Sequence, residues 1–463
     1  MQVKQIYTGC LSQGSYYIES NGEAAVIDPI REVDEYISLA NNRGSKIKYI
    51  FETHFHADFV SGHVTLSKLT GAPIVFGPTA VTDFNCIIAE DNQEFILGDC
   101  KIRLLHTPGH TLESSCYLLI DKYGKETSLF SGDTLFLGDV GRPDLAQKSI
   151  EMTQERLAEI LYDSLRNKIM TLPDDVIVYP GHGSGSSCGK NMSKETIGTI
   201  GNEKVNNYAL RKDMKKSEFV EELIDGLLPP PQYFPQNVQL NRKGYGDVND
   251  ILQRSSNSIS VSKFKEYSCD SQTIILDVRH QNDFVQGFVP GSIFIGINGG
   301  FAPWVGSILK DVNTRILLVL EEEMLQETII RLSRVGFDNV LGYLEGGIKN
   351  WIKSGEDIDF INSISPEVFG ISLKKNINII DVRKKTEYNN SHVEDAHLSP
   401  LSQLNKKSNA LSYENENYLY CAGGYRSVIA CSILKKEGIH NINNIQGGFS
   451  EIIKFDIPIK NNE

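Results

Sequence analysis

The sequence predicts an α/β protein with a layered first domain followed by two copies of a smaller α/β module. Its 463 residues are too many for one hydrophobic core, since single cores stop growing at roughly 250 to 300 residues. From residue 1 to about 200, short apolar strands alternate with helical stretches, and loops that bear His or Asp follow the strands. The last part of the chain contains an internal repeat.

The first domain is expected over residues 1–245, with a linker region over about 201–256. Within that region a charged helical run, 212–228, is followed by three consecutive prolines and a Gly/Asn-rich stretch. Because proline lacks the backbone N–H that a helix needs, we predict that no helix continues beyond this run.

The internal repeat lies after the linker. The tripeptide Asp-Val-Arg ends an apolar strand at 277–279 and again at 381–383, and a Gly-Gly pair closes each copy. This spacing predicts one α/β module over 258–355 and a second over 362–460.

Composition excludes several classes of function. The net charge is −13 and no Lys/Arg-rich stripe interrupts the chain, so nucleic acid is not expected as a partner. There is neither a signal segment nor a run of 18 apolar residues, which predicts a cytoplasmic protein without a membrane partner. The eight cysteines form no C-x-x-C pair and are expected to be reduced thiols.

Histidine and aspartate recur in four loops that directly follow strands. Any one of them alone would be an ordinary loop histidine or capping aspartate, but four together predict a metal centre at one edge of a sheet. Imidazole and carboxylate are ligands for zinc and for non-haem iron alike. The four segments are Thr53-His54-Phe-His56-Ala-Asp58, Pro108-Gly-His110-Thr, Ser131-Gly-Asp133-Thr and Pro180-Gly-His182-Gly.

This series of motifs resembles the metallo-β-lactamase superfamily over residues 1 to about 245. The resemblance implies an αββα sandwich with the metal at the sheet edges. Hydrolases of that superfamily usually bind two metals, and the second needs a histidine directly after the aspartate, where this chain has Phe59. We therefore expect a single metal ion.

The N-terminal motifs also resemble those of persulfide dioxygenases. That resemblance implies one Fe(II), with O₂ as co-substrate, held by His54, His110 and Asp133, a set that suits iron and O₂ chemistry. His and Asp do not by themselves exclude zinc. The resemblance further implies that a second group would orient ligands or water, namely His56, Asp58 and His182.

Two further loops are candidates for contact with substrate. Arg142, in a Gly/Pro-rich loop after Asp133, is either an exposed turn residue or an anion contact. Cys188 lies six residues after His182, with Lys190 nearby, and is either a small buried residue or an exposed, partly ionised thiol that accepts sulfur.

In the last module a strand ends in a cysteine, and a short loop leads into a helix. The loop, Cys421-Ala-Gly423-Gly424-Tyr-Arg426, resembles that of rhodaneses, and its six residues fit a sulfane sulfur. Glycines let successive N–H groups point inward, where they bind the sulfur of a nucleophilic cysteine. We expect Cys421 and Arg426 to be catalytic and the two glycines to bind substrate.

The middle module lacks this cysteine. Leu320 stands at the equivalent position and three glutamates, 321–323, follow it, which would repel an anion. We predict a rhodanese-like domain without sulfurtransferase activity, kept for packing, subunit contact or positioning.

Together these features predict a persulfide dioxygenase whose product sulfite is converted to thiosulfate by the rhodanese module. The partners would be a thiol persulfide and sulfite, and relatives of this layout suggest a homo-oligomer. One alternative is a thioester hydrolase of glyoxalase II type with a fused sulfurtransferase. Another is a non-catalytic sulfur-carrier protein with a structural metal site. The sequence does not identify the thiol.

Overall fold

The computed structural model describes residues 1–145, 152–227, 229–373, 377–404 and 407–461. These residues form two compact units. The first unit consists of Met1–Ile251, Lys310–Val312 and Leu332–Gly336. The second consists of Leu252–Leu309, Asn313–Arg331 and Phe337–Glu463.

The first unit begins with a six-stranded sheet in the order β1-β2-β3-β4-β5-β6. The first pairs are antiparallel hairpins and the later ones are parallel. In chain order its elements are β1 (Gln2–Thr8), β2 (Gln13–Ser20), β3 (Glu23–Ile27), α1 (Asp34–Arg43), β4 (Lys46–Phe51), α2 (His63–Thr70), β5 (Ile74–Phe76) and β6 (Ile87–Ile88).

A second six-stranded sheet follows, in the order β12-β11-β10-β9-β8-β7. Helix α3 continues into a π-helical turn, Leu165–Ile169. The elements are β7 (Glu94–Leu97), β8 (Cys100–His106), β9 (Ser115–Ile120), β10 (Glu126–Gly132), α3 (Gln154–Ser164), β11 (Ile177–Pro180), β12 (Gly198–Thr199), α4 (Ile200–Asn206), α5 (Lys216–Ile224), α6 (Phe234–Lys243) and α7 (Val248–Ser255).

Apolar side chains place the two sheets face to face. Ile18 and Phe51 of the first sheet share a core with Leu104 and Phe130 of the second. The other face of the second sheet packs on α3, α4 and α5 around Leu161. Strands such as β9 are therefore buried on both faces and read as continuous apolar runs. The predicted αββα sandwich is confirmed.

The prediction that no helix follows the prolines is wrong. Helices α6 and α7 occupy much of the expected linker region, and the earlier helical run is reduced to α5. Leu228, at the end of that run, lies outside the described residues. Asn241 on α6 is buried. Its amide group donates to the backbone carbonyls of His56 and Phe59 and accepts from the backbone N–H of Ser61, so tertiary contacts stabilise this helix. The three domain boundaries remain predictions.

The second unit contains two modules of the same design. The elements of the middle module are β13 (Ser258–Ile259), α8 (Val261–Ser268), β14 (Thr273–Asp277), α9 (Gln281–Phe284), β15 (Ile293–Phe294), α10 (Phe301–Leu309), β16 (Arg315–Val319), α11 (Leu325–Arg334), β17 (Val340–Leu344) and α12 (Gly347–Lys353). Its sheet has the order β13-β17-β16-β14-β15 and is parallel throughout.

The last module repeats that order as β18-β23-β22-β19-β21, also parallel, and adds the antiparallel pair β20-β24. Its elements are β18 (Asn362–Ile364), α13 (Pro366–Ser372), β19 (Asn378–Asp381), α14 (Lys385–Asn390), β20 (Ser391–Val393), β21 (His397–Leu398), β22 (Asn417–Tyr420), α15 (Tyr425–Lys436), β23 (Ile442–Ile445), α16 (Gly448–Ile452) and β24 (Ile459–Asn461). The matching strand orders confirm two rhodanese-like α/β domains. No helix among the described residues has the length and apolarity to cross a membrane.

Candidate metal centre and cysteine loop

The four predicted loops converge in the first unit. They follow β4, β8, β10 and β11, strands of two sheets that face each other. The ligand atoms of His54, His110 and Asp133 all lie within 4.8 Å of one another, and the three residues are buried. Nε2 of His54 lies 3.8 Å from Oδ2 of Asp133, and Nε2 of His110 lies 3.4 Å from the same oxygen.

These three residues fit a metal ion. Two ligands at about 2.0–2.2 Å from one metal lie roughly 3 to 3.5 Å apart. Both carboxylate oxygens of Asp133 are buried without a hydrogen-bond donor, a costly arrangement unless a cation binds them. Burial and the neighbouring imidazoles lower the pKa of His54 well below its usual value, so this ring is a neutral ligand.

Backbone and side-chain contacts fix the orientation of His54. The Thr53 hydroxyl donates to Oδ2 of Asp28 at 2.8 Å, so it accepts from Nδ1–H of His54 at 2.9 Å. The lone pair of Nε2 therefore faces the metal position. Sequence reasoning missed Asp28 and Thr53. A signal for Asp28 was available in the sequence, because this residue directly follows the apolar strand β3. Its left-handed backbone conformation, at φ +49°, is visible only in the structure.

His110 is held in the same way by a carbonyl group. Its Nδ1–H donates to the backbone oxygen of Arg142 at 2.8 Å, which again leaves Nε2 to face Asp133. Gly141 permits this approach, since a Cβ there would lie 2.1 Å from the backbone oxygen of Asp133 and 2.8 Å from Nδ1 of His110. Gly141 is thus a third positioning residue that sequence reasoning missed.

In the last module Cys421 lies between β22 and α15 and is buried. The Gly424 N–H donates to its Sγ at 3.1 Å, and the Ser427 hydroxyl lies 3.6 Å away. Gly424 has φ +87°, a left-handed conformation that glycine adopts without strain. The loop therefore directs one backbone donor and one hydroxyl at the thiol.

Arg426 and Gly423, two other predicted residues of the cysteine loop, have surroundings that differ from those of Gly424. Both terminal nitrogens of Arg426 donate to the Glu387 carboxylate at 2.7 Å. Burial opposes ionisation of Glu387, but Arg426 outweighs it and the pKa of Glu387 is lowered. Gly423 is exposed, and a Cβ there would meet no atom within 4 Å, so only Gly424 is sterically required.

Comparison with known proteins agrees with this architecture. The metallo-beta-lactamase superfamily model matches residues 8–182, and the rhodanese-like domain model matches 260–354 and 371–454. A crystal structure of a metallo-beta-lactamase from Staphylococcus aureus subsp. aureus COL is 30% identical, with a TM-score of 0.64, and covers 74% of this chain and 98% of its own.

The chain belongs to the metallo-beta-lactamase superfamily. Within it, the cytoplasmic hydroxyacylglutathione hydrolase of Arabidopsis thaliana is 34% identical, over 39% of this chain and 67% of the relative. The mitochondrial persulfide dioxygenase ETHE1 of Homo sapiens is 29% identical, over 48% of this chain and 79% of the relative. The chain spans 57% to 67% of the length of three hydroxyacylglutathione hydrolases that it matches.

Phe59 occupies the position directly after Asp58. Its ring is fully buried and packs on His56 with ring centres 4.3 Å apart, so no ligand atom stands at that position. Nε2 of His182 nevertheless lies 3.4 Å from Oδ2 of Asp58 and 3.7 Å from Oδ1 of Asp133. Burial disfavours the charged form of His182, but the two carboxylates outweigh it and the pKa of His182 is raised.

Of the two alternatives for Cys188, the structure shows a buried residue and not an exposed, partly ionised thiol. The thiol is 1% exposed, and burial with Asp58 and Asp133 nearby raises its pKa well above the usual value. Its Sγ lies within 4.8 Å of the ligand atoms of Asp133 and His182. The Lys190 ammonium donates to the Glu222 carbonyl at 2.9 Å and does not pair with the thiol.

Arg142 bonds to a side chain of its own loop and to the backbone of the loop that contains Cys188. Its guanidinium donates twice to the Asp144 carboxylate at 2.6 Å and once to the Ser187 carbonyl at 3.2 Å. Its backbone N–H donates to the Cys188 carbonyl at 3.0 Å. Arg142 is therefore paired within the protein, and a role in binding an anion stays a prediction.

The middle rhodanese-like domain has no thiol at the equivalent strand end. Leu320 follows β16 and is buried, and Glu322–Met324 form a short 3₁₀ turn where the last module has its glycine loop. The absence of sulfurtransferase activity in the middle module stays a prediction.

Proposed function

We propose that this protein is an Fe(II)-dependent persulfide dioxygenase coupled to a sulfurtransferase. The observation that carries the proposal is the convergence of His54, His110 and Asp133 beside an aromatic residue, Phe59, that removes a ligand of a second metal. Two imidazoles and one carboxylate with open positions suit Fe(II) and O₂. The similarity to persulfide dioxygenase ETHE1 supports the same assignment.

In this proposal one thiol persulfide, one O₂ and one water yield one thiol, one sulfite and two protons. The S–S bond breaks, the outer sulfur is oxidised and O₂ is reduced. An Fe(II) ion held by His54, His110 and Asp133 would supply the redox chemistry that O₂ requires. The chain contributes His54 and His110, whose Nδ1–H bonds hold their Nε2 atoms toward Asp133.

Sulfur transfer follows at the last module. The Cys421 thiolate attacks the outer sulfur of a second persulfide, a new Sγ–S bond forms, and the thiol leaves as its thiolate. Sulfite then attacks the transferred sulfur, which yields thiosulfate and restores the Cys421 thiolate. The Gly424 N–H and the N-terminus of α15 favour the anionic sulfur in both states.

A thioester hydrolase is the second candidate. Asp58, His182 and Asp133 still converge, and hydroxyacylglutathione hydrolases are 34% identical to part of the chain. If these residues hold a second metal, the centre could activate a bridging water for hydrolysis.

The deciding experiment uses the full-length protein, purified without oxygen and loaded with iron. O₂ consumption, sulfite and thiosulfate are measured after addition of glutathione persulfide, in wild type, Asp133→Asn and Cys421→Ser. We expect O₂ uptake by wild type and Cys421→Ser, sulfite in place of thiosulfate in Cys421→Ser, and neither uptake nor bound iron in Asp133→Asn. No uptake by wild type, together with hydrolysis of S-lactoylglutathione, would favour the hydrolase.

A further inference from the structure

The middle module contacts the cysteine loop of the last module directly. Tyr425 lies inside that loop and is the first residue of α15. Its hydroxyl donates to the Gly296 carbonyl at 2.7 Å, and its ring packs edge-on against Phe294 with ring centres 5.7 Å apart. Gly296 and Phe294 both belong to the middle module, within the same compact unit.

The middle module also provides space for this ring. A Cβ at Gly299 would lie 2.3 Å from Cζ of Tyr425, closer than any real contact, so only glycine fits there. Burial raises the pKa of Tyr425 well above the value of a free phenol. The hydroxyl therefore stays protonated and remains a donor at neutral pH.

The rest of α15 is held by the same module. The Phe294 N–H donates to the Ser432 hydroxyl at 3.0 Å. Phe284 and Phe294 of the middle module share one hydrophobic core with Val428 and Ile429 of α15. The helix that begins at the cysteine loop thus packs on the middle module as well as on its own sheet.

We propose that the middle module, which has Leu320 where the last module has Cys421, positions the Cys421 loop through the hydrogen bond from Tyr425 to Gly296. Tyr425 follows Gly424, whose N–H lies 3.1 Å from Sγ of Cys421. Gly424 is a flexible residue, so anchoring its neighbour restricts the direction of that N–H. The inference deepens the sulfurtransfer proposed above and rests on it; Tyr425 is a positioning residue, since it does not touch the sulfur.

The test compares Tyr425→Phe with a matched control in the full-length protein. Tyr388→Phe is that control, because Tyr388 also donates to a backbone carbonyl, that of Ala396, at 2.7 Å in the same module but outside the loop. The kcat and KM for transfer of sulfur from thiosulfate to cyanide are measured. The rate at which iodoacetamide alkylates Cys421 is followed by peptide mass spectrometry.

We expect Tyr425→Phe to lower kcat and the alkylation rate by about 3- to 10-fold with KM unchanged, the effect of one lost hydrogen bond on the reactive state. Tyr388→Phe should leave both values within twofold of wild type. Gly299→Ala, which displaces the Tyr425 ring, should lower both values at least as much as Tyr425→Phe.

Equal values for Tyr425→Phe and Tyr388→Phe would overturn the positioning role. A Gly299→Ala protein that fails to fold does not affect this decision, because Tyr425→Phe keeps the ring and its packing. The alkylation rate separates the two proposals. If wild type transfers no sulfur, the sulfurtransferase proposal fails, and a slower alkylation of Cys421 in Tyr425→Phe would still support the role of Tyr425.

Discussion

The middle and last modules share one architecture and differ in the loop after one strand. Asp277 with Arg279 and Asp381 with Arg383 form the same buried pair, each with a 2.6 Å contact. Leu320 directly follows β16 in one module, and Cys421 directly follows the equivalent strand β22 in the other. The two modules therefore share their buried strands and a local ion pair, whereas the loop that follows the central strand differs between them.

The largest expected effect concerns that loop. Cys421→Ser should reduce sulfur transfer to background, because the hydroxyl cannot carry a sulfane sulfur. Leu320→Cys should not create activity in the middle module, since the three glutamates that follow repel anions. The rate of sulfur transfer from thiosulfate to cyanide measures the effect of both substitutions. Activity in a Leu320→Cys, Cys421→Ser double variant would show that the two loops are equivalent.

We expect the Asp–Arg ion pair to contribute equally to the free energy of unfolding of both modules. Arg279→Met or Arg383→Met leaves a buried aspartate without its partner, which should cost about 3–5 kcal/mol of the free energy of unfolding. Lys454→Met removes an exposed pair with Glu451 and should cost about 0–1 kcal/mol. Urea unfolding of the full-length variants gives these values. If only one of the two substitutions lowered the free energy of unfolding, the ion pair would not have the same role in both modules.

Equivalent core positions extend the comparison. Leu318 of β16 pairs with β14, and Leu419 of β22 pairs with β19; both side chains are fully buried. Leu318→Ala and Leu419→Ala should each lower the free energy of unfolding by about 2–5 kcal/mol through the cavity that remains. Thermal unfolding monitored by circular dichroism gives the two shifts. A shift in only one module would indicate that the cores differ in packing.

The smallest expected effect distinguishes the two loop glycines. Gly424→Ala forces an alanine into the left-handed region and should cost about 1–2 kcal/mol. At Gly423 a Cβ meets open space, so Gly423→Ala should change stability by less than about 0.5 kcal/mol. Urea midpoints of the two proteins measure the difference. An equal change at both positions would contradict a requirement for the left-handed conformation at Gly424.

Much of the fold was predictable because its signals are local. Strand-terminal His and Asp motifs, the repeated Asp-Val-Arg and the cysteine loop each lie within a few residues, so the sequence alone predicts the sandwich, the duplication and the loss of the thiol at Leu320. The roles of the predicted metal ligands and of Arg426 remain predictions, although His54, His110 and Asp133 do converge.

The features that only the tertiary structure decided involve residues far apart in the chain. Asn241 bonds to the His56 carbonyl over 185 positions and stabilises a helix where proline and glycine predicted none. The burial of Cys188 depends on neighbours that the loop sequence does not contain. Tyr425 reaches Gly296 over 129 positions. By itself the sequence determined the chemistry of each loop, whereas folding determined which groups surround it, because burial and orientation arise from long-range packing.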